Sequence, residues 1–393
     1  MIRREHYINQ IKGFYDSDLI KIITGIRRSG KSVILSQIME DVKNQGAKTI
    51  YINFEDRFQT SNIKTADDLI KYVLDISHEE KCYVFLDEIQ ELNDWQLACK
   101  TLRLHKCSVF ITGSNSKLLS SEFTKELSGR YVAFRIRPFV YKELIEYGKE
   151  LDKEISVSDY LVWGGFPKRI EFNSEADQRV YLNDLAETII FKDLIKRYNI
   201  RKPELFNSLV NYVLRSNARV FSVKSIKDYI KQYNATCSIN TIQKYLSYLE
   251  NAYIISSVKQ YSTKIKRELA FYEKLYNQDV AFNSIYVNDG RFDLTHNLEN
   301  IIYNELEYMG YDLSVYVFNG KEVDFRATKD GKTYYIQVAY SVVDDKAYQR
   351  EFEAFKLMDN SCEKILITND DTDYSTSTVR HIQLKDFLLM ESL

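Results

Sequence analysis

The chain has 393 residues, 45% hydrophobic and 13% aromatic, with a net charge of −2. That composition fits packed cores in two to four domains, excludes a chain that is disordered or polycationic throughout, and contains no 18-residue apolar run, so no membrane span is expected. Five cysteines without C-x-x-C spacing and five scattered histidines fit reduced thiols in a cytoplasmic protein and give no metal-ligand pair.

Met1-Ile2-Arg3-Arg4-Glu5-His6 lacks the apolar core of an export signal, and residues 5–16 read as a short helix. Leu19, Ile20, Ile22 and Ile23 form an apolar strand. It runs into Gly25-Ile26-Arg27-Arg28-Ser29-Gly30-Lys31-Ser32, and an apolar-periodic helix follows from Val33. G-x-x-x-x-G-K-S between a strand and a helix is a phosphate-binding loop. The glycines let successive N–H groups curl toward a phosphate, and the helix N-terminus adds its dipole. Lys31 can reach the β- and γ-phosphates, and Ser32 can ligate Mg²⁺.

Thr49 to Phe54 alternates as a second strand, and a helix is expected near 67–78. Cys82 to Asp87 is apolar on both faces, as a central parallel strand should be, and ends in the pair Asp87-Glu88. Asp87 there can hold Mg²⁺ through water, and Glu88 can serve as general base. A helix over 94–105 and a strand over 108–112 lead to Gly113-Ser114-Asn115-Ser116. Ser114 or Asn115 either orients water beside the acids or belongs to a polar turn. A helix over 116–127 then precedes Leu127-Ser128-Gly129-Arg130. Arg130 is either a finger acting on a neighbouring subunit's nucleotide or an ordinary surface arginine. Tyr131 to Ile136 is a further strand. The alternation predicts an α/β fold with a parallel sheet, helices on both faces and ligands at the strand C-termini.

The three prolines fall at expected boundaries: Pro138 after the sheet, Pro167 in Gly164-Gly165-Phe166-Pro167, and Pro203 after a helix of roughly 176–198. Arg201 to Glu268 holds 12 basic and 4 acidic residues. Helices Glu204 to Arg215, Val223 to Gln232 and Ile239 to Glu250, then strands Tyr253 to Tyr261 and Ala270 to Tyr276, fit a winged helix-turn-helix. Its third helix has an apolar face of Ile239, Ile242, Leu246 and Leu249. Asn240, Thr241, Gln243, Lys244 and Ser247 lie off that face and would read double-stranded DNA, unless the module serves packing or protein contact. Further on come a helix from Leu298 to Met309, strands Ser314–Phe318, Val323–Thr328 and Thr333–Ala339, a helix over 345–358, a strand over 363–368 and a helix over 384–390. Glu299, Asp324 and Gln337 either gather a metal for nucleic-acid hydrolysis or are polar residues of half-exposed elements.

ITGIRRSGKS, YINFED, VFLDEIQ, ITGSNSKLL, LSGR and YLVWGGFP, in this order, resemble the AAA-type ATPases of bacteria and archaea that carry a C-terminal DUF4143 domain. The resemblance implies a P-loop core, a helical and winged-helix middle and a restriction-endonuclease-like end. It gives Lys31 and Ser32 the phosphate and Mg²⁺ roles, Asp87 and Glu88 the Walker B roles, and Ser114 or Asn115 the first sensor. It places Pro167 near the adenine and makes Arg130 a suspected finger. The C-terminal part resembles the PD-(D/E)xK fold, with Glu299 on its first helix and Asp324 on its acidic strand. Where nucleases of that fold continue E-x-K, this chain reads Gln337-Val338-Ala339. The resemblance therefore favours an inactive, binding-only domain over a nuclease, although Lys332 or Lys346 could supply the missing amine.

The expectation is an ATP- and Mg²⁺-dependent switch that couples nucleotide state to DNA or to a protein partner, with room for a homo-oligomer and no membrane contact. The expected domains are 1–140 (ATPase core), 141–200 (helical lid), 201–280 (winged helix) and 281–393 (PD-(D/E)xK-like). The alternatives are an ATP-dependent nuclease and a STAND-like signalling module that does not bind DNA.

Overall fold

A computed structural model describes residues 1–78, 80–113, 127, 129–232, 237–261, 273–287, 290–318, 321–356, 358 and 361–393. They form two units. Unit 1 is Met1–Pro138 with Asn251–Tyr253, and unit 2 is Phe139–Glu250 with Ile254–Leu393.

Unit 1 begins with α1 (Glu5–Lys12) and then alternates strand and helix: β1 (Ile20–Thr24), α2 (Lys31–Asn44), β2 (Lys48–Asn53), α3 (Ala66–Ser77), β3 (Cys82–Asp87), α4 (Trp95–Leu104), β4 (Cys107–Gly113) and β5 (Tyr131–Arg135). The sheet order is β2-β3-β4-β1-β5, and every pairing is parallel. β1, β3 and β4 are buried along their whole length, which is why they read as mostly apolar runs, although Lys21, Ser108 and Thr112 within them are buried too. β2, at the edge, is only half-buried and alternates. Ile22, Ile52, Val84, Leu86 and Ile111 from the strands meet Leu69, Val73, Trp95 and Leu102 from α3 and α4 in one core. Because all five strands point the same way, their C-terminal ends share one edge. The phosphate-type loop, Asp87 and the end of β4 are brought together there. The helix expected over 116–127 lies outside the described residues, except at Leu127.

Unit 2 opens with α5 (Tyr141–Glu150) and α6 (Val157–Trp163). A 3₁₀ turn (Pro167–Glu171) leads to α7 (Glu175–Ala186) and α8 (Leu194–Tyr198). The single helix expected over 176–198 is thus divided: Glu187–Asp193 is a π segment, where the β-branched run Thr188-Ile189-Ile190 crowds an α turn. α9 (Pro203–Arg215) starts on its proline, whose missing N–H has no helical partner at that position anyway. β6 (Val220–Phe221), α10 (Val223–Gln232), α11 (Ile239–Asn251), β7 (Ile255–Lys259) and β8 (Glu273–Asn277) follow, with the strands antiparallel in the order β6-β8-β7. On α11 the buried residues are Ile242, Tyr245, Leu246 and Leu249; Ile239, expected on that face, is 50% exposed.

The rest of unit 2 is α12 (Ala281–Ser284), α13 (Leu294–Tyr308), β9 (Asp312–Phe318), β10 (Lys321–Lys329), β11 (Lys332–Ala339), α14 (Asp345–Phe355), β12 (Glu363–Thr368), β13 (Arg380–Gln383) and α15 (Leu384–Leu389). The sheet order is β13-β12-β11-β10-β9, antiparallel from β9 to β11 and parallel from β11 to β13. β13 has no counterpart among the expected elements, because Arg380-His381-Ile382-Gln383 carries one apolar residue in four.

α6 stops at Gly164, whose φ is +67°. The Gly164 carbonyl accepts from Nε (2.9 Å) and Nη2 (2.7 Å) of the fully buried Arg169. Arg169 also holds Asp159 at 2.6 Å and Gln178 at 2.9 Å, so its guanidinium is fully used. The Gly165 N–H donates to Asp279 Oδ2 at 2.7 Å. Among the buried acids of this unit that desolvation pushes up are Asp279, to about 6, and Glu305, to about 7. Glu305 accepts from the Tyr141 N–H at 3.0 Å and the Tyr160 hydroxyl at 3.1 Å.

A carboxyl whose pKa is raised in the folded state holds its proton there and loses it on unfolding. Its stabilising contribution is complete below the unfolded value near 4 and is lost as pH rises through the folded value. Between pH 4 and 7 the transition that includes unit 2 is therefore expected to weaken, by up to roughly 2 to 3 kcal/mol per pH unit with both groups acting. Thermal melts across that range check this. Glu305→Gln should flatten the slope, and an unchanged slope would show that Glu305 is ionised in the fold.

Candidate functional site

The loop Gly25–Gly30 leaves the buried end of β1 and enters α2. Gly25 has φ +140° and approaches the chain after β5 so closely that an added Cβ would stand 2.1 Å from the Ile136 carbonyl oxygen. Ile26 and Ser29 are buried, Arg27 and Val33 half-buried, and Arg28 and Ser32 exposed. The Lys31 side chain folds back over the loop, donating to the Ile26 carbonyl at 3.0 Å. Burial lowers its pKa to about 8, against the opposing pull of Glu88 and Asp87. Arg27 is 3.6 Å from Glu55.

Asp87, at the end of β3, is 2% exposed. Ser32 Oγ of α2 donates to its Oδ1 at 3.1 Å, and the Tyr51 hydroxyl of β2 to its Oδ2 at 3.1 Å. Thr112 Oγ1 of β4 also donates to Oδ1 and in turn accepts the Glu88 N–H at 2.9 Å. Burial and the Asp87 charge push the Tyr51 phenol up, so it stays a donor. Glu88 sits in the left-handed region at φ +51°. For a non-glycine residue that conformation costs about 1–2 kcal/mol. The Gln90 side-chain amide donates to its carboxylate.

Ser32 and Asp87 are hard oxygen donors side by side. One carboxylate and one hydroxyl, with the remaining positions left to water and phosphate oxygens, is the donor set Mg²⁺ takes at phosphate sites. The residues present therefore fit that ion.

Tyr51 and Thr112 were not foreseen. Thr112→Val keeps the side-chain shape but leaves the Glu88 N–H without that acceptor. It should cost about 1–3 kcal/mol, read as a lower urea midpoint for the transition of unit 1. An unchanged midpoint would mean the amide is satisfied elsewhere.

The other predicted residues are dispersed. Ser114 and Asn115 lie outside the described residues. Arg130 is exposed, and its backbone carbonyl accepts the Ile20 N–H at 2.9 Å, at the start of β1. It stands at the opposite sheet edge, roughly 16 Å from the loop at about 3.3 Å per strand residue. Pro167 belongs to unit 2, where it opens the 3₁₀ turn. Asn240, Gln243 and Lys244 are exposed on α11, while Gln243 and Ser247 line a cavity of about 190 Å³ together with Glu250 and Glu273. Glu299 and Asp324 converge on Lys274, but Gln337 does not. Its amide oxygen instead accepts the Asp324 N–H at 3.3 Å, and its amide nitrogen donates to Glu351 at 2.7 Å. Lys332 and Lys346 are exposed at the ends of β11 and α14. No helix among the described residues is long and apolar enough to cross a membrane.

Comparison with known proteins bears on the family. A family model described as an AAA domain (AAA_14) matches residues 17–145. A domain of unknown function, DUF8612, matches residues 154–288, whereas the resemblance read from the sequence had named DUF4143. An uncharacterized protein of Haemophilus influenzae is 32% identical over 379 residues, covering 94% of this chain and 93% of its own. The uncharacterized protein MJ1544 of Methanocaldococcus jannaschii is 32% identical over 377 residues, covering 90% and 82%. Among solved structures, the Walker-type ATPase PaBY2304 of Pyrococcus abyssi aligns with 72% of this chain and 95% of its own, at 16% identity and a TM-score of 0.50. That likeness is one of fold. The chain belongs to the family of the Haemophilus influenzae protein and MJ1544, and its first unit carries an AAA-type P-loop ATPase domain.

Proposed function

We propose that the protein binds and hydrolyses Mg-ATP at the edge where α2, β3 and β4 meet, and uses the nucleotide state to switch binding of a partner. The observation that carries this reading is the 3.1 Å hydrogen bond from Ser32 to Asp87, which closes the phosphate-type loop onto the strand-end acid. In this reading the N–H groups of Gly25 through Val33 cradle the phosphates, and Lys31 exchanges its bond to Ile26 for phosphate oxygens. Ser32 and Asp87 would hold Mg²⁺, which would neutralise charge on those oxygens. Glu88 takes the proton of the attacking water, its backbone fixed by Thr112. Ser114 or Asn115 as sensor, Pro167 near the adenine and Arg130 as a finger stay within the proposal.

The β6–β8 region is read as a winged helix, and the five-stranded sheet of unit 2 as a relative of the PD-(D/E)xK fold. The exposed Lys224, Lys231 and Lys244 favour DNA as partner. The acids Glu250 and Glu273 beside Gln243 and Ser247 favour a protein at that spot. Two measurements test the function: phosphate release from ATP with and without Mg²⁺, and retardation of duplex DNA at rising salt. Absence of Mg²⁺-dependent phosphate release in the first would reject the ATP-driven switch. Absence of any retardation even at low salt would reject DNA and leave a protein partner.

A further inference from the structure

β8 reads Glu273-Lys274-Leu275-Tyr276-Asn277, a polar strand by sequence, yet only Glu273 is not fully buried. Lys274 is 4% exposed. Its ammonium meets Glu299 Oε1 of α13 at 2.8 Å, and on β10 it meets Glu322 Oε1 at 2.5 Å and Asp324 Oδ1 at 3.1 Å. The ammonium donates hydrogen bonds to Glu299 and Asp324 and forms an ion pair with Glu322, so three carboxylates surround it. Two residues further along β8, the Tyr276 hydroxyl donates to the same Glu299 oxygen at 2.7 Å. Asp324 Oδ2 accepts the Val338 N–H of β11 at 3.0 Å, beside a register slip in the β9–β10 pairing between Val323 and Arg326. Each acid is thus set from a different backbone position around one point, and a cation of this chain fills that point.

Nuclease centres built from acids on a helix and neighbouring strands work through a divalent metal held between those acids. We propose that Lys274 is the built-in cation of this centre, standing where such a metal would bind, so that Glu299, Glu322 and Asp324 take up no divalent ion while Lys274 is in place. Mg²⁺ or Mn²⁺ needs about six oxygens at about 2.1 Å, drawn in closer than an ammonium draws them. Entry would also force a buried ammonium out of three ion pairs, which is strongly unfavourable. The lysine instead braces β8, α13 and β10 against one another. With the amine removed, Glu299 and Asp324 would lose the cation they share, and a divalent cation would supply it. The inference stands on unit 2 alone and does not depend on the phosphate-site reading.

The test is Mn²⁺ titration of the full-length, nucleotide-free protein, with free Mn²⁺ counted by electron paramagnetic resonance. Wild type, Asp324→Asn and Glu322→Gln are expected to give the same isotherm. Lys274→Met should gain one Mn²⁺ per chain, bound roughly tenfold or more tighter than any wild-type site, and Lys274→Met with Asp324→Asn should lose that gain. A wild-type site that disappears in Asp324→Asn or Glu322→Gln overturns the proposal. So does a Lys274→Met protein that melts cooperatively and binds no more Mn²⁺ than wild type. Should Lys274→Met not fold, the wild-type comparison with the two acid variants still decides.

Discussion

Glu88→Gln is expected to lower ATP turnover by ~10²–10⁴-fold, the range a positioned general base contributes, while leaving nucleotide affinity nearly intact. The reason is a separation of tasks along one strand end. Asp87 is engaged by three hydroxyls, from Ser32, Tyr51 and Thr112. Glu88 turns away in the left-handed region, its N–H held by Thr112 and its carboxylate taking the Gln90 amide. The substituted amide would be isosteric with the carboxylate and would keep the Gln90 and Thr112 contacts, but it cannot accept a proton from water. Binding of a fluorescent ATP analogue and steady-state phosphate release separate the two effects. Turnover at the wild-type level would assign the base elsewhere, whereas loss of binding along with turnover would point to damage of the loop itself.

Gly164→Ala should destabilise unit 2 by more than about 4 kcal/mol, in the range where one substitution unfolds a domain. A Cβ at Gly164 would lie 1.7 Å from Asp279 Oδ1. The Asp279 carboxylate cannot swing aside cheaply, because Oδ1 takes the Ala281 N–H at 2.9 Å and Oδ2 the Gly165 N–H at 2.7 Å. The φ of +67° adds its own cost for alanine. Urea unfolding of the full chain measures the loss. Asp279→Ala in the Gly164→Ala background should recover part of it, since the two substitutions share one clash and are not additive. If Gly164→Ala melts like wild type, the turn has room that the structure denies it.

Motifs whose parts lie close together in sequence were legible. The loop Gly25–Ser32 and the strand ending in Asp87-Glu88 carry their chemistry in a few consecutive residues, so spacing alone marked them. Thr112 and Tyr51 carry no such mark: a threonine or tyrosine in a strand reads as a β-former, and only the parallel register shows that each points at Asp87. Lys274 lies on an expected strand, and nothing beside it in the sequence gives it a role. Its partners Glu299 and Asp324 lie 25 and 50 residues away, and no local pattern pairs them. The same limit explains Gln337, placed in the acid site by alignment of strands, whose amide is held between the Asp324 N–H and Glu351. Ile239 was assigned inward by helical spacing, but it is the first residue of α11, where one face is not yet covered by the following turn.

Arg130 stands at the far margin of the all-parallel sheet, with its carbonyl on the first residue of β1 while the nucleotide loop follows the last. A guanidinium so placed can meet a triphosphate only when the leading margin of one copy abuts the trailing margin of the next. The simplest assembly with that contact is head-to-tail, closing into a ring if its rotation permits and running on as a filament if it does not.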